Sequence, residues 1–120
     1  MKPEHESSTM GKGSFLGEFE QVVLLAVAHL DGNGYGLSIR KEIDRRTGRN
    51  VTVGSVYSTL ARLEEKGLAS SWEGDATPRR GGRAKRHFRL EEAGTRALQA
   101  SRGMLDSMWN GLDLDAVGRT

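Results

Sequence analysis

The sequence predicts a mainly α-helical fold with one small β-hairpin, and two observations support this prediction. Apolar residues recur at helical spacing in three stretches before residue 67 and in a fourth after residue 90. The segments 68–73 and 85–90 are typical of strands and are joined by a loop rich in glycine and arginine. Three helices followed by two strands and a basic loop form a winged helix-turn-helix, to which this chain adds a C-terminal helix.

Length and composition limit the possible classes of protein. The chain has 120 residues, enough for one domain with a modest core. It contains no cysteine, which excludes a disulfide framework and a thiolate metal site. The longest apolar run, Val22–Ala28, is far shorter than the ~20 residues of a membrane span. We therefore expect a soluble, cytoplasmic protein that has no membrane partner.

The N-terminal part of the chain divides into a tail and two helices. Residues 1–14 are polar and are predicted to be a disordered tail. Residues 16–30 form a helical pattern that is apolar over much of its circumference, which indicates burial on more than one side. Turn-forming residues at 31–34 end this helix. A second helix is predicted over 35–47, with Gly48 in the position where a helix end favours a left-handed residue.

The third helix, predicted from Val53 to Lys66, is the element around which the chain is organised. Thr52 can cap its first free amides, and the face opposite its apolar residues carries small and polar side chains. Such a face suits the major groove of DNA, which admits a helix, although an ordinary amphipathic surface helix is the alternative. We assign DNA contacts to Tyr35, Thr52, Gly54, Ser55, Tyr57, Ser58 and Arg62. The two tyrosines could equally be residues that flank the core.

A basic segment lies between the two predicted strands and within the second. Residues 78–89 carry six positive charges and no acid, so that with a net charge of +2 the remainder of the chain sums to −4. This segregation is typical of a surface that binds a polyanion. A solvated loop is the alternative, but like charges repel one another unless an anion is bound. We assign phosphate contacts to Arg79, Arg80, Arg83, Lys85 and Arg86.

The last helix is predicted over 91–112 and carries Leu98, Leu105 and Leu112 at seven-residue spacing. This spacing suits packing along another helix, and one subunit can cover only part of the stripe. We therefore predict a homodimer whose twofold axis places two recognition helices about 34–36 Å apart, which implies an inverted-repeat operator. The predicted organisation is a tail over 1–14, a winged domain over 15–90, a dimerisation helix over 91–112 and a frayed tail over 113–120.

Catalytic and metal-binding patterns have little support in the sequence. His5, His29 and His87 lie far apart and lack acids at ligand spacing. The glycines at 32, 34 and 36 follow a helix rather than a strand, so they indicate a turn and not a nucleotide-binding loop. We therefore predict no enzyme activity, no metal ion and no cofactor.

Several short motifs occur together in a fixed order. They are Leu16-Gly17-Glu18-Phe19-Glu20, Gly34-Tyr35-Gly36, Gly54-Ser55-Val56-Tyr57, Arg62-Leu63-Glu64, Gly67-Leu68, Gly81-Gly82-Arg83 and Phe88-Arg89-Leu90. In this order, over residues 16–112, they resemble the PadR family of bacterial transcriptional regulators, in its short subfamily with one C-terminal helix. The family pattern often has proline where this chain has Ser58, and serine or threonine where it has Glu91.

The resemblance implies a dimeric repressor that binds double-stranded DNA and is released by a small aromatic effector between its subunits. A ligand-stacking tryptophan of the family would fall near Leu105, and Trp109 follows one turn later. We assign dimer or effector contacts to Phe19, Val23, Leu98, Leu105, Met108, Trp109 and Leu112. The alternative function is a winged-helix module that binds another protein and has lost DNA binding, but the basic wing favours DNA.

Overall fold

The structure is a computed structural model that describes residues 15–74 and 85–117. The described elements, in chain order, are α1 (Glu18–Leu30), β1 (Gly34–Tyr35), α2 (Gly36–Thr47), α3 (Val53–Glu65), β2 (Ala69–Glu73), β3 (Arg86–Leu90), α4 (Glu92–Trp109) and α5 (Leu114–Val117). This order confirms the predicted mainly α-helical winged fold. The predicted disordered tail over 1–14 lies outside the described residues.

The ends of the helices follow from local hydrogen bonds. The Thr52 hydroxyl oxygen accepts the Ser55 amide at 3.0 Å, which confirms the predicted cap of α3. Gly48 ends α2 with a φ of 75°, a left-handed conformation that glycine adopts without strain. At the start of α1, the Glu20 carboxylate accepts the Gly17 amide at 2.9 Å, so that helix begins two residues later than the periodicity predicted.

The sheet has three antiparallel strands in the order β1-β3-β2, whereas the sequence predicted only the hairpin of β2 and β3. The additional strand, β1, pairs Gly34 with Phe88 and Tyr35 with His87. Tyr35 was predicted inside the second helix and instead lies at its N-cap in extended conformation. Two residues are too few to show the alternation that identifies a strand in a sequence.

The hydrophobic core lies where α1 meets α2, α3 and the sheet. Its buried apolar residues are Leu16, Val23, Leu24, Ala26, Val27, Ile39, Ile43, Val56, Leu60, Leu63, Ala69 and Phe88. Val23 has no exposed surface. The assignment of Val23 to a dimer or effector contact was therefore wrong, because its side chain faces the core of its own subunit.

The C-terminal helix α4 packs on the domain only over its first half. Ala97 and Leu98 lie against the core and Ser101 is buried, but every described residue from Arg102 onward is exposed. Within the predicted frayed end, Asp113 starts one helical turn, α5, because its carbonyl oxygen accepts the Ala116 and Val117 amides at 3.1 and 3.0 Å.

The crossing of α4 over the start of the sheet depends on Gly94. A Cβ atom added at this position would overlap the carbonyl oxygen of Leu68, which is backbone and cannot move aside easily. The absence of a side chain therefore lets α4 approach the backbone of Leu68, just before β2, closely. Gly103 lies further along the same helix, and a Cβ atom there would meet nothing within 4 Å.

We predict opposite effects for alanine at these two glycines. Gly94→Ala should destabilise the protein by roughly 1–3 kcal/mol, because α4 must shift away from Leu68. Gly103→Ala should stabilise it by up to about 1 kcal/mol, because alanine is the better helix former at an open position. Urea denaturation followed by circular dichroism measures both changes. Equal effects of the two substitutions would contradict the close approach at Gly94.

Candidate nucleic-acid interface

Helix α3 has one buried and one exposed face, as the periodicity predicted. Val56, Leu60 and Leu63 are buried in the core. The exposed side carries Gly54, Tyr57, Ser58, Ala61, Arg62 and Glu65, with Ser55 half-buried beside them. Apart from Tyr57 and the two charged residues, this face is made of small side chains, so another surface can come close to the helix backbone.

The hydroxyl groups on this face have a defined hydrogen-bonding state. Ser55 Oγ donates to the carbonyl oxygen of Thr52 at 2.9 Å, and Ser58 Oγ donates to that of Gly54 at 3.1 Å. With their protons used within the helix, both hydroxyl oxygens can still accept a hydrogen bond from a group outside it. Acceptors of this kind complement the amino groups of adenine and cytosine in the major groove.

Tyr57 joins the exposed face of α3 to the interior. Its ring lies against Gly36, where an added Cβ atom would overlap the phenol, and its centroid is 6.4 Å from that of Phe88. The residue is nevertheless 42% exposed. It therefore packs against the sheet and α2 as a flanking core residue, and it also contributes to the exposed surface of α3.

The predicted wing contacts fall partly within the described residues. Arg79, Arg80 and Arg83 lie outside them. Lys85 and Arg86 are exposed at the start of β3. Lys85 Nζ lies 4.7 Å from the centroid of the Tyr35 ring, a cation–π distance, so the base of the wing is attached to the strand that precedes α2.

The outer face of the sheet carries a row of aromatic residues that the sequence analysis did not assign to a site. The His87 ring lies between Tyr35 and Trp72, at centroid distances of 5.8 and 5.7 Å. The Arg89 guanidinium lies 4.8 Å from the Trp72 ring. The outward position of His87 and Arg89 followed from alternation along β3, but the strand register that brings Trp72 beside them cannot be deduced from local pattern.

A second group missed by the sequence analysis links α1 to α3 through charge. Glu20 accepts hydrogen bonds from Lys66 Nζ at 3.1 and 3.0 Å, and Arg62 Nε lies 3.6 Å from the same carboxylate. Glu18 pairs with Arg49 at 2.7 Å. Arg62, assigned from the sequence to DNA, is thus already beside an acid.

The Glu20 carboxyl is perturbed by these neighbours. Burial acts to raise its pKa, but the hydrogen bonds from the Gly17 amide and Lys66, with the charges of Lys66 and Arg62, outweigh burial. The net result is a pKa below the ordinary value of 4.5, so the carboxylate is ionised at neutral pH.

A groove of about 500 Å³ lies between α1 and α4 and extends onto the exposed half of α4. Leu98, Leu105 and Trp109, all assigned to dimer or effector contacts, line it together with Leu25 of α1. Met108 and Leu112 are exposed beyond the groove. Phe19 does not face this groove and instead packs beside the core, with the Arg49 guanidinium 5.3 Å from its ring.

The described residues form neither a metal-binding cluster nor a membrane-spanning helix. Across 15–74 and 85–117, no group of three or more histidine, cysteine or acidic side chains is placed to hold a metal ion. In the same part of the chain, no helix has both the length and the apolar character needed to cross a bilayer.

The fold and the exposed face of α3 define a winged helix-turn-helix, a class of domain in which a helix is presented to nucleic acid. A sequence model of the transcriptional regulator PadR-like family matches residues 24–100. The chain therefore belongs to this family. The membership supports a DNA-binding regulator of transcription and confirms the resemblance found from the motifs. No curated protein matches the chain.

Solved structures show the same fold at low sequence identity. RosR from H. salinarum is 24% identical, with 82% of this chain and 81% of that chain covered and a TM-score of 0.63. A PadR family transcription regulator from Clostridium difficile R20291 is 22% identical, with coverages of 78% and 96% and a TM-score of 0.63. A PadR-like transcription factor from Bacteroides fragilis is 23% identical, with coverages of 88% and 96% and a TM-score of 0.63.

The lowered pKa of Glu20 predicts how its contribution to stability varies with pH. Because the folded-state pKa lies below the ordinary value of 4.5, the stabilisation is present above that pH and is lost as the pH falls through the folded pKa. Glu20→Gln should therefore lower the melting temperature at neutral pH, and the difference from the wild type should shrink in acid.

Thermal unfolding between about pH 7 and pH 3 measures this effect. In a Lys66→Gln background the same Glu20 substitution should lower the melting temperature less at neutral pH, because one of the cations that lower the pKa of Glu20 is gone. A melting-temperature difference that stays constant across the pH range would contradict the prediction.

Proposed function

We propose that the protein is a sequence-specific repressor of transcription that binds an inverted-repeat operator as a homodimer in the cytoplasm. It acts by binding and not by catalysis. The observation that carries the proposal is the exposed, small-residue face of α3, which lies in the same domain as the basic residues Lys85 and Arg86 at the base of the wing. A winged domain with these surfaces can place α3 in a major groove while the wing follows the phosphates.

The proposed division of roles follows the chemistry of each surface. Ser55 and Ser58 contact base edges, because their oxygens are exposed acceptors on the helix face that is closest to the groove floor. The basic segment 78–89 contributes affinity without sequence preference, since arginine and lysine side chains can pair with the phosphates of any duplex. The Tyr57 hydroxyl is assigned to the phosphate backbone beside α3.

The exposed half of α4 supports the proposed dimer. Leu105, Met108, Trp109 and Leu112 are each about half or more exposed in a single subunit. Leaving such side chains in water forfeits roughly 1.5–3 kcal/mol for each one that a partner could cover. A second copy of α4 packed along α1 and α4 would cover them, and the twofold axis would orient two α3 helices toward successive major grooves.

We place the proposed effector in the groove between α1 and α4. The walls are apolar at Leu25, Leu98, Leu105 and Trp109, and polar groups of Gln21 and Gln99 lie at the same site. An aromatic molecule would stack against Trp109 and be enclosed by the second subunit. Binding at this position would favour one arrangement of the two winged domains over another and thereby change operator affinity.

The assignment of base contacts predicts a change in the preferred operator. A Ser55→Ala, Ser58→Ala double variant should select a different motif from a random DNA pool, losing roughly 1–3 kcal/mol of discrimination at adenine or cytosine positions. Ser107→Ala, the same chemical change on the exposed surface of α4, should select the wild-type motif. Recovery of one motif by all three proteins would show that the two serines do not read bases.

The proposed dimer predicts the behaviour of charge substitutions on α4. A Leu105→Glu, Leu112→Glu variant should sediment as a monomer at micromolar concentration, while the wild type sediments at twice the mass of the chain. Operator affinity should fall by about 100-fold or more, because two linked half-site contacts are lost. Leu37→Glu, at an exposed leucine of α2, is the control and should remain dimeric. A monomeric wild type would contradict the dimer.

A further inference from the structure

The two acidic residues at the start of α1 form ion pairs with positive side chains near both ends of α3. Glu18 pairs with Arg49, which precedes α3 in the chain, at 2.7 Å. Glu20 holds Lys66, the C-cap residue of α3, at 3.0 Å and lies 3.6 Å from Arg62 in the last turn. Two acidic residues of one short segment therefore contact three positive side chains that lie at or near the two ends of α3.

The two carboxylates differ in how firmly they are fixed. Glu20 has a side chain that is only 12% exposed, and its position is also set by the hydrogen bond from the Gly17 amide. Glu18 is 72% exposed and has the character of a surface ion pair, which solvent weakens. Glu20 is thus a firmly positioned negative charge beside α3, and Glu18 is a more loosely held one.

Cations beside a recognition helix normally add affinity for any duplex, because every sequence has the same phosphates. Arg62 is 54% exposed and Arg49 is 42% exposed, so both are accessible from solvent. A phosphate that approaches them must compete with a carboxylate already in contact. The acids therefore reduce the contribution that these three cations make to binding DNA of arbitrary sequence.

We infer that Glu18 and Glu20 are specificity-determining residues that hold Arg49, Arg62 and Lys66 away from DNA phosphates, and so weaken binding to arbitrary DNA more than binding to the operator. This inference rests on the proposed DNA-binding function. On the operator, base contacts fix the register of α3, so freed cations can reach only the phosphates that this register places near them. On arbitrary DNA, the protein can slide and turn until freed cations meet phosphates.

The test compares Glu20→Gln with the wild type on two duplexes, a selected operator and a random sequence of the same length. Glutamine keeps an oxygen that can accept the Gly17 amide but removes the charge that holds Lys66 and Arg62. On random DNA, the slope of log binding constant against log salt concentration should steepen by about 0.9 for each additional phosphate that a freed cation neutralises. The loss of affinity between 50 and 200 mM salt then grows about 3.5-fold for each such phosphate. The ratio of operator to random affinity should fall.

Glu42→Gln is the matched control. Glu42 also forms ion pairs with two arginines, Arg45 and Arg46, but all three residues belong to α2. The substitution changes the net charge of the protein by the same amount, so it reproduces any general electrostatic effect. It should leave the affinity ratio closer to that of the wild type than Glu20→Gln does.

Two further variants complete the design. Adding Arg62→Gln and Lys66→Gln to Glu20→Gln should restore the wild-type salt slope on random DNA, since the freed cations have been removed. If Glu20→Gln does not fold, as judged by circular dichroism, Glu18→Gln tests the same idea through the exposed Arg49 pair. Its random-DNA slope should steepen by about 0.9.

The outcomes separate this inference from the proposed function. If the wild type binds its operator, but neither Glu20→Gln nor Glu18→Gln steepens the slope or lowers the ratio beyond the Glu42→Gln control, the inference is wrong and the proposed function stands. If the wild type binds no duplex, both are wrong. A steeper slope with a lower ratio supports the inference.

Discussion

The packing of α1 against α3 is the interaction on which the rest of the structure depends. Val23 and Val27 of α1 and Val56 and Leu60 of α3 are almost completely removed from water. Burying each of these side chains is worth roughly 1.5–3 kcal/mol, a large share of the net stability of a small domain. Because α1 also contacts α2, β3 and α4, the orientation of the recognition helix is set by a helix that itself lies outside the helix-turn-helix.

Much of the helical structure could be predicted from the sequence, because the signals are local. The Thr52 hydroxyl caps an amide three residues away, and Gly48 ends α2 through its own backbone conformation. The apolar periodicity of α3 separates Val56 and Leu63 from the exposed residues within a single element. Each of these features needs only a few consecutive residues, so no knowledge of tertiary structure is required to recognise them.

The features that the sequence analysis missed depend on residues far apart in the chain. Glu20 and Lys66 are separated by 46 positions, and nothing near either residue indicates the other. The two residues of β1 form a strand only because β3 lies beside them. The wide apolar face of α1 indicated burial correctly, but it could not distinguish burial by the subunit's own core from burial by a partner, and Val23 was misassigned for this reason.

The distribution of charge gives the two parts of the winged domain different electrostatic properties. Beside α3, the single negative charge of Glu20 partly offsets the two cations Arg62 and Lys66, while the segment 78–89 carries six positive charges without an acid of its own. A cation that already pairs with a carboxylate contributes less to binding an arbitrary polyanion, so in the proposed complex the segment 78–89 would supply most of the attraction for phosphates. In the same proposed complex, the face of α3 would interact through neutral hydroxyl oxygens and close backbone approach, which depend on the identity of the bases. A net charge of only +2 is therefore compatible with DNA binding, because the positions of the charged residues, and not their sum, decide which surface attracts a duplex.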